Sequence, residues 1–429
     1  MTMTMTHRRM LRSAPTLAFA AAAMLVACKK PVPDETVFTG TTTPNGGSVG
    51  QVDASAPVIV DAGGGAGGAF TKPAFLSEMA ACAESRVAIF AAKADALEAA
   101  TATLAGAGGG DLAASRTAWL EAFAAFQELE LFRIGPAQGA PAAGAMGLRD
   151  ELYAWPLSSR CRVDEQLVSK AYEGASFFAS LVNGRGLASL DYLLFATTSA
   201  NGCSAFSTIN ASGTWALLAP TELASRKSAY AARVAHDVAS HARALRDAWS
   251  PAAGNFQAAF SSAGHGSLIY PTEAAALNTL TDAVLYLDDE VKDWKLGKPL
   301  GFYECTTGTC PDAVEAPFSR QSASALKANL TASRRMVQGC ATDYAGLGLD
   351  DWLVSIGAGE LAGRMLGALV AAQDTVSALD APVDDMLTRD PTRLSQAHAN
   401  VRAFTTLMKY EVLPALTLAV PAGAQGDAD

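Results

Sequence analysis

Residues 186–195, GLASLDYLLF, set one acid, Asp191, in an otherwise mostly apolar run. Ala188 and Asp191 stand three apart, so on a helix they share a face. An imidazole at 188 beside a carboxylate at 191 would reach one metal ion. The methyl of Ala188 donates nothing, and Asp191 alone offers only hard oxygen ligands. A buried, hydrogen-bonded structural aspartate is the other reading of Asp191. Gly186 marks a close approach or a turn into the helix.

Nothing else in the chain supplies an obvious imidazole in exchange. There is no HExxH, and His236 and His241 are five apart, about 500° around a helix. His265 lies in a glycine loop and His398 in another helix, so all four read as surface or structural residues. No serine or cysteine nucleophile arrangement is visible. Glu130 and Arg133 are three apart near the end of a candidate helix. Glu130 can accept from Arg133, from a ligand, or bind a cation; a local salt bridge, worth little if exposed, is the plain alternative.

The elements that must position these groups are helices. Leu76, Met79, Ala83, Val87 and Phe90 recur at three- and four-residue steps and predict a helix over 73–100, with Pro73 in its first turn. A second, 111–133, carries Trp119, Phe123, Phe126, Leu129 and Phe132 and is stopped by Gly135 and Pro136. Trp119 and Trp155 read as core or interface residues. Further helices are expected at 164–182, 187–196, 219–249, 271–294, 319–341, 347–354, 357–379 and 392–413. So much helix with so little strand alternation predicts an all-α protein. About 350 residues exceed one bundle core, so two packed antiparallel bundles are expected, one at about 71–250 and one at about 267–424. The glycine-bearing stretch 251–266 and the turn before Pro271 mark the boundary.

The N-terminus reads as an export signal. His7, Arg8, Arg9 and Arg12 precede the apolar run LAFAAAAMLVA, which is short for a transmembrane span. LVAC, residues 25–28, resembles a bacterial lipobox, which implies a signal peptide over 1–27 and a lipid on Cys28. An ordinary signal with an incidental cysteine is the alternative. Several acyl chains would anchor the protein to a membrane durably. Lys29, rather than aspartate, favours the periplasmic face of the outer membrane if the cell is Gram-negative. Residues 28–70, with TTTPNGGSVG and DAGGGAGGA, read as a flexible tether.

The leader holds three of the 32 basic residues and none of the 42 acidic ones. The mature chain therefore carries about −13, with no basic face for nucleic acid. Export makes disulfides admissible for the six remaining cysteines. Cys305 and Cys310 enclose TTGT and suit a small staple, Cys161 with Cys203 a second bridge, and Cys82 with Cys340 a third. Six cysteines permit fifteen pairings, and a buried free thiol at Cys82 stays open. The spacings lack a paired CxxC, against a metal cluster.

Several stretches together resemble the imelysin-like proteins: RTAWLEAFAAFQELELFRIGP (116–136), LYAWPLSS (152–159), GLASLDYLLF, KLGKPLG (295–301), VEAPFSRQSASALKANL (314–330) and YAGLGLDDWL (344–353). The resemblance covers nearly all of 71–424 and implies two packed helical bundles. It also implies the family signature GxHxxE, which falls here on Gly186, Ala188 and Asp191. The glycine matches, the acid is one methylene shorter, and the histidine is missing. By the same resemblance Glu130, Arg133, Glu315 and Ser319 join Asp191 as ligand-binding candidates. Ser319 as a helix cap and Glu315 as a solvated acid are the alternatives.

The resemblance implies metal or iron-related uptake, with a divalent or ferric cation and envelope proteins as partners. Ala188 weakens direct metal binding. A zinc peptidase needs three protein ligands and a polarised water. Non-enzymatic ligand binding is therefore the leading expectation. A metallopeptidase of the imelysin type and a structural or interaction scaffold are the alternatives.

Overall fold

The computed structural model of the chain describes residues 69–106 and 110–425. The signal peptide, Cys28 and the tether up to residue 68 lie outside the described residues. Among the described residues the regular structure is all helical: α1 (Lys72–Ala105), α2 (Leu112–Glu130), α3 (Leu148–Leu152), α4 (Arg160–Ser169), α5 (Gly186–Phe195), α6 (Thr208–Ala211), α7 (Pro220–Trp249), α8 (Phe256–Ser261) and α9 (Glu273–Val284). A wide π-helical segment, Leu287–Gly297, runs into α10 (Lys298–Leu300). Then come α11 (Ser322–Val337), α12 (Leu349–Ser355), α13 (Gly359–Ser377), α14 (Val383–Arg389) and α15 (Pro391–Leu407), followed by a second π turn, Met408–Val412.

Helix α1 starts where its chemistry says it should. The Thr71 side chain accepts from the Ala74 N–H at 3.3 Å, and Pro73 occupies the first turn, where a missing N–H is harmless. Phe75, Leu76, Met79, Ala83, Val87, Phe90, Ala94 and Leu97 are all buried along it. In the first half α1 packs against α7, α2 and α8, and α5 lies against α7 and α2. In the second half α13 packs against α15, α12 and α11, and the π segment lies on α15. The seam between the halves is made by α2 against α11.

Several elements depart from the sequence expectation. The helix expected over 164–182 is α4 followed by three short 3-10 turns. Lys170, at φ 55°, turns the chain out of the helix. The segment 251–266 holds α8, whose Phe256 and Phe260 are buried beside Trp249 and Tyr270. Helix α9 stops at Val284, and the chain continues in the π form.

All three expected disulfides are present: Cys82–Cys340, Cys161–Cys203 and Cys305–Cys310, with Cα separations of 5.9, 4.5 and 6.0 Å. The first ties α1 to the turn that follows α11, across 258 residues of sequence.

A buried charge cluster beside a cavity: the candidate functional site

Asp191 sits on α5, whose first residue, Gly186, has φ +75°. A Cβ at Gly186 would lie 2.9 Å from the Leu152 carbonyl, so both conformation and space call for glycine. The Asp191 carboxylate grips the loop that leads into α11. Its Oδ1 accepts from the Ser319 N–H at 2.8 Å and its Oδ2 from the Phe318 N–H at 3.2 Å. That loop carries Ala316 at φ 46° and Arg320 at φ 63°. The left-handed region costs about 1 kcal/mol or more for such residues, and the two charge-assisted bonds offset part of it. Burial pushes the Asp191 carboxyl up to about 6, against the pull of its Ser319 and Phe318 partners.

Behind this loop lies a charge cluster on the seam. Lys295, from the π segment, is surrounded by four oxygens. They are Gln127 Oε1 at 2.7 Å, Asn329 Oδ1 at 2.8 Å, Glu130 Oε2 at 3.0 Å and Glu315 Oε1 at 3.1 Å. Arg149, from α3, donates to Glu130 Oε1 and to the Tyr286 hydroxyl, both at 2.8 Å, and lies 3.5 Å from Glu290. Tyr286 donates to Glu130 at 2.6 Å, and Tyr153 donates to Glu315 at 2.7 Å. Burial raises a carboxyl pKa, yet Glu130 is held down to about 2 because Lys295 and Arg149 flank it. Glu290 goes the other way, to about 7, because burial outweighs Arg149. Burial also raises Glu315, against the pull of Lys295. Three carboxyls thus share two cations, and burial raises two of the three.

Beside Asp191 opens a cavity of about 650 Å³. Ala188, Asp191, Tyr153 and Trp155 line it, together with Arg160 and Trp294. Its rims are stapled. Arg160 and Gly202 each adjoin a cysteine of the Cys161–Cys203 bridge, and the wall from Pro311 to Val314 directly follows the Cys305–Cys310 bridge.

The structure therefore brings Asp191 and Ser319 into contact, and Glu130 and Glu315 onto one lysine. Arg133 is not with them. Glu130 takes Arg149 and Lys295 as its partners instead, while the Arg133 guanidinium lies 5.7 Å from the Tyr286 ring and acts on Asp282. Ser319 does not cap α11; its N–H serves Asp191, and α11 starts at Ser322. Trp119 and Trp155 are buried, and both also form cavity wall. The histidines among the described residues stay away from Asp191. His236 meets Glu98 at 2.5 Å, and His265 meets Glu273 at 3.0 Å. His398 stacks edge-on to Phe302. His241 lies with Glu151 and Asp237, a trio of potential metal ligands, but Arg185 already pairs with both acids at 2.6 Å.

Sequence reasoning missed Lys295, Arg149, Tyr153, Tyr286 and Arg160. Lys295 and Arg149 look like surface cations in KLGKPLG and GLRDELY. Only the fold, by burying both against Glu130, gives them away.

The motif residues do not fit a catalytic zinc. Ala188 has no donor, both Asp191 oxygens accept backbone N–H bonds, and Glu315, whose Oε1 is engaged by Tyr153, Gln127 and Lys295, has Oε2 alone left over, far short of three ligands.

Fold and seam together define an all-α protein of two packed helical bundles with a charged interface and an adjoining cavity. The imelysin family model matches residues 83–408, and the chain belongs to that family. No curated protein sequence matches it. Among solved structures, an imelysin-like protein from Psychrobacter arcticum 273-4 superposes with a TM-score of 0.59 at 16% identity, covering 82% of this chain and 96% of that one. A protein described as an iron-regulated protein A precursor, from Parabacteroides distasonis ATCC 8503, gives 0.61 at 15% identity, covering 80% and 95%. At these identities the likeness speaks for the fold.

Proposed function

We propose that this protein binds a small ligand in the cavity beside Asp191, without catalysis, as a lipid-anchored envelope component linked to iron uptake. The observation that carries the reading is the cavity itself. Its roughly 650 Å³ falls in the range of small-molecule sites. Walls that include the buried Trp119, Tyr153 and Asp191, and two disulfide-stapled rims, form it in advance of any ligand. Ala188 adds room where a metal-ligating member would place an imidazole. The link to iron rests on the family and on the description of the Parabacteroides protein. Anchoring through Cys28 at the outer membrane rests on the lipobox-like LVAC and on Lys29.

A thermal-shift screen of the purified protein tests the reading. Fe(II), Zn(II), Cu(II), Ca(II) and soluble ferric chelates are added in turn, with hydrolysis of a casein substrate followed in parallel. A ligand at 100 times its Kd stabilises by about 2.7 kcal/mol, which shifts Tm by a few degrees. Stabilisation by one class of ligand without casein cleavage is expected. Cleavage that disappears in Asp191→Asn would overturn the reading in favour of a peptidase.

A further inference from the structure

The chemistry of the cavity wall points to a class of ligand, and this step rests on the ligand-binding reading above. Arg160 lines the cavity with its guanidinium 5.1 Å from the Tyr192 ring and 5.6 Å from the Phe318 ring. One of its nitrogens donates to the Ala200 carbonyl at 2.8 Å, and its Nε is buried without a hydrogen-bond partner. The neighbouring acid, Asp164, accepts from the Tyr192 hydroxyl and the Gly202 N–H and also attracts Arg160 electrostatically. The guanidinium is thus held in place by rings and a carbonyl, as a fixed cation with donors to spare. Lys298 is a second cation on the wall, 4.0 Å from the Trp294 ring. Its acid, Glu304, lies 3.6 Å away and is more than half exposed. Ser189 supplies a further polar group. It is 3% exposed, it lines the cavity, and its hydroxyl has no hydrogen-bond partner. A buried hydroxyl left unpaired costs about 1–3 kcal/mol, and a ligand oxygen would relieve that cost. Trp155 and Trp294 give flat apolar walls between these polar points.

We infer that the cavity takes a planar aromatic hydroxy-acid anion, free or as its ferric chelate, rather than a bare metal ion. The acid group meets Arg160 and Lys298, the ring lies against the tryptophans, and a ring hydroxyl meets Ser189. Charge-assisted bonds to a guanidinium are strong and frequently bidentate. Bare cations find no imidazole here, and the cavity is many times larger than an ion needs.

Tryptophan fluorescence reads the test directly, because Trp119, Trp155 and Trp294 all line the cavity. The full chain is titrated with 2,3-dihydroxybenzoate, with its ferric complex, with catechol, which is the same ring without the carboxylate, and with Fe(II) under argon. Saturable binding of the acid or its ferric complex is expected, with catechol about tenfold weaker or worse. Arg160→Gln should weaken the acid about ten- to hundredfold and Lys298→Gln less, both with unchanged circular dichroism. Affinity should fall as salt is added. Binding of the acid alone identifies the free organic anion as ligand, and binding only with Fe(III) identifies the chelate; both support the inference. Catechol or Fe(II) binding as tightly as the acid, with Arg160→Gln unchanged, overturns the anion class while leaving a ligand-binding cavity. Absence of any saturable signal from the acid and its chelate also overturns it, and the thermal screen then decides the broader reading separately.

Discussion

Lys295 decides the character of the seam. A single ammonium satisfies oxygens from α2, α11 and the 314–321 loop, so both halves of the molecule depend on it. Replacing it by methionine leaves Glu315 buried without its cation and Glu130 with Arg149 alone. Removal of one partner of a buried pair costs about 3–5 kcal/mol, and chemical denaturation of Lys295→Met should show that loss. A change below about 1 kcal/mol would mean that the cluster is wet and weakly coupled. Asp191 makes a second prediction. Folded, it keeps its proton up to about pH 6, whereas an unfolded aspartate loses it near pH 4. Between those values the folded chain binds more protons, so this group's contribution to stability falls as pH rises. Unfolding free energies measured from pH 4 to pH 6 should therefore decline less steeply in Asp191→Asn than in the wild type. Superimposable slopes would contradict the raised carboxyl. Asp191 was legible because an acid in SLDYLLF breaks an apolar pattern. Its loop partners were not, since backbone N–H groups at 318 and 319 leave no mark in residue types.

At the scale of elements, the helices with strong periodicity or clear end signals were readable. Helices α1, α5, α7 and α13 lie close to their expected ranges, with Pro220 opening α7 as Pro73 opens α1. Apart from α12, which lies close to the expected 347–354, the short helices were not readable. Three to seven residues carry too little periodicity, and α3, α8 and α14 are set by packing instead. The π segment was also invisible, because its residues LDDEVKDWKLG suit an ordinary helix. Its wider winding presents both Glu290 and Lys295 to the seam, in keeping with the tendency of π turns to occur at functional positions. The disulfides divide into two kinds by what they hold. Cys82–Cys340 spans 258 residues and constrains the unfolded chain; by loop-closure entropy its loss would cost on the order of 5 kcal/mol. Cys161–Cys203 spans 42 residues and holds the cavity rim. The paired change Cys82→Ser with Cys340→Ser is accordingly expected to act chiefly on Tm. Cys161→Ser with Cys203→Ser should act more on ligand affinity, through lost preorganisation. Equal effects of both pairs on affinity would argue against a preformed rim.

For the whole molecule, composition and helical periodicity were enough to give an all-α chain, and the ordered stretches from RTAWLEAF to YAGLGLDDWL were enough to give the family. The site needed the third dimension, because its cations come from α3, α4 and the π segment while its acids come from α2, α5, the π segment and a loop. Anchoring belongs to this scale as well. If Cys28 carries lipid, Cys28→Ser should move the protein from the membrane fraction to the soluble fraction of cells, and an unchanged distribution would remove the anchor. The central claim is that ligand enters the cavity at the position where the family signature has its histidine. Ala188→Phe tests it most directly, since the new ring would occupy that wall while leaving the Lys295 cluster untouched. Wild type and variant are titrated by tryptophan quenching with the tightest ligand from the thermal screen. The account predicts a loss of affinity of at least about tenfold, roughly 1.4 kcal/mol, with an unchanged denaturation midpoint. Equal affinity in the two proteins would place the ligand elsewhere and contradict the account.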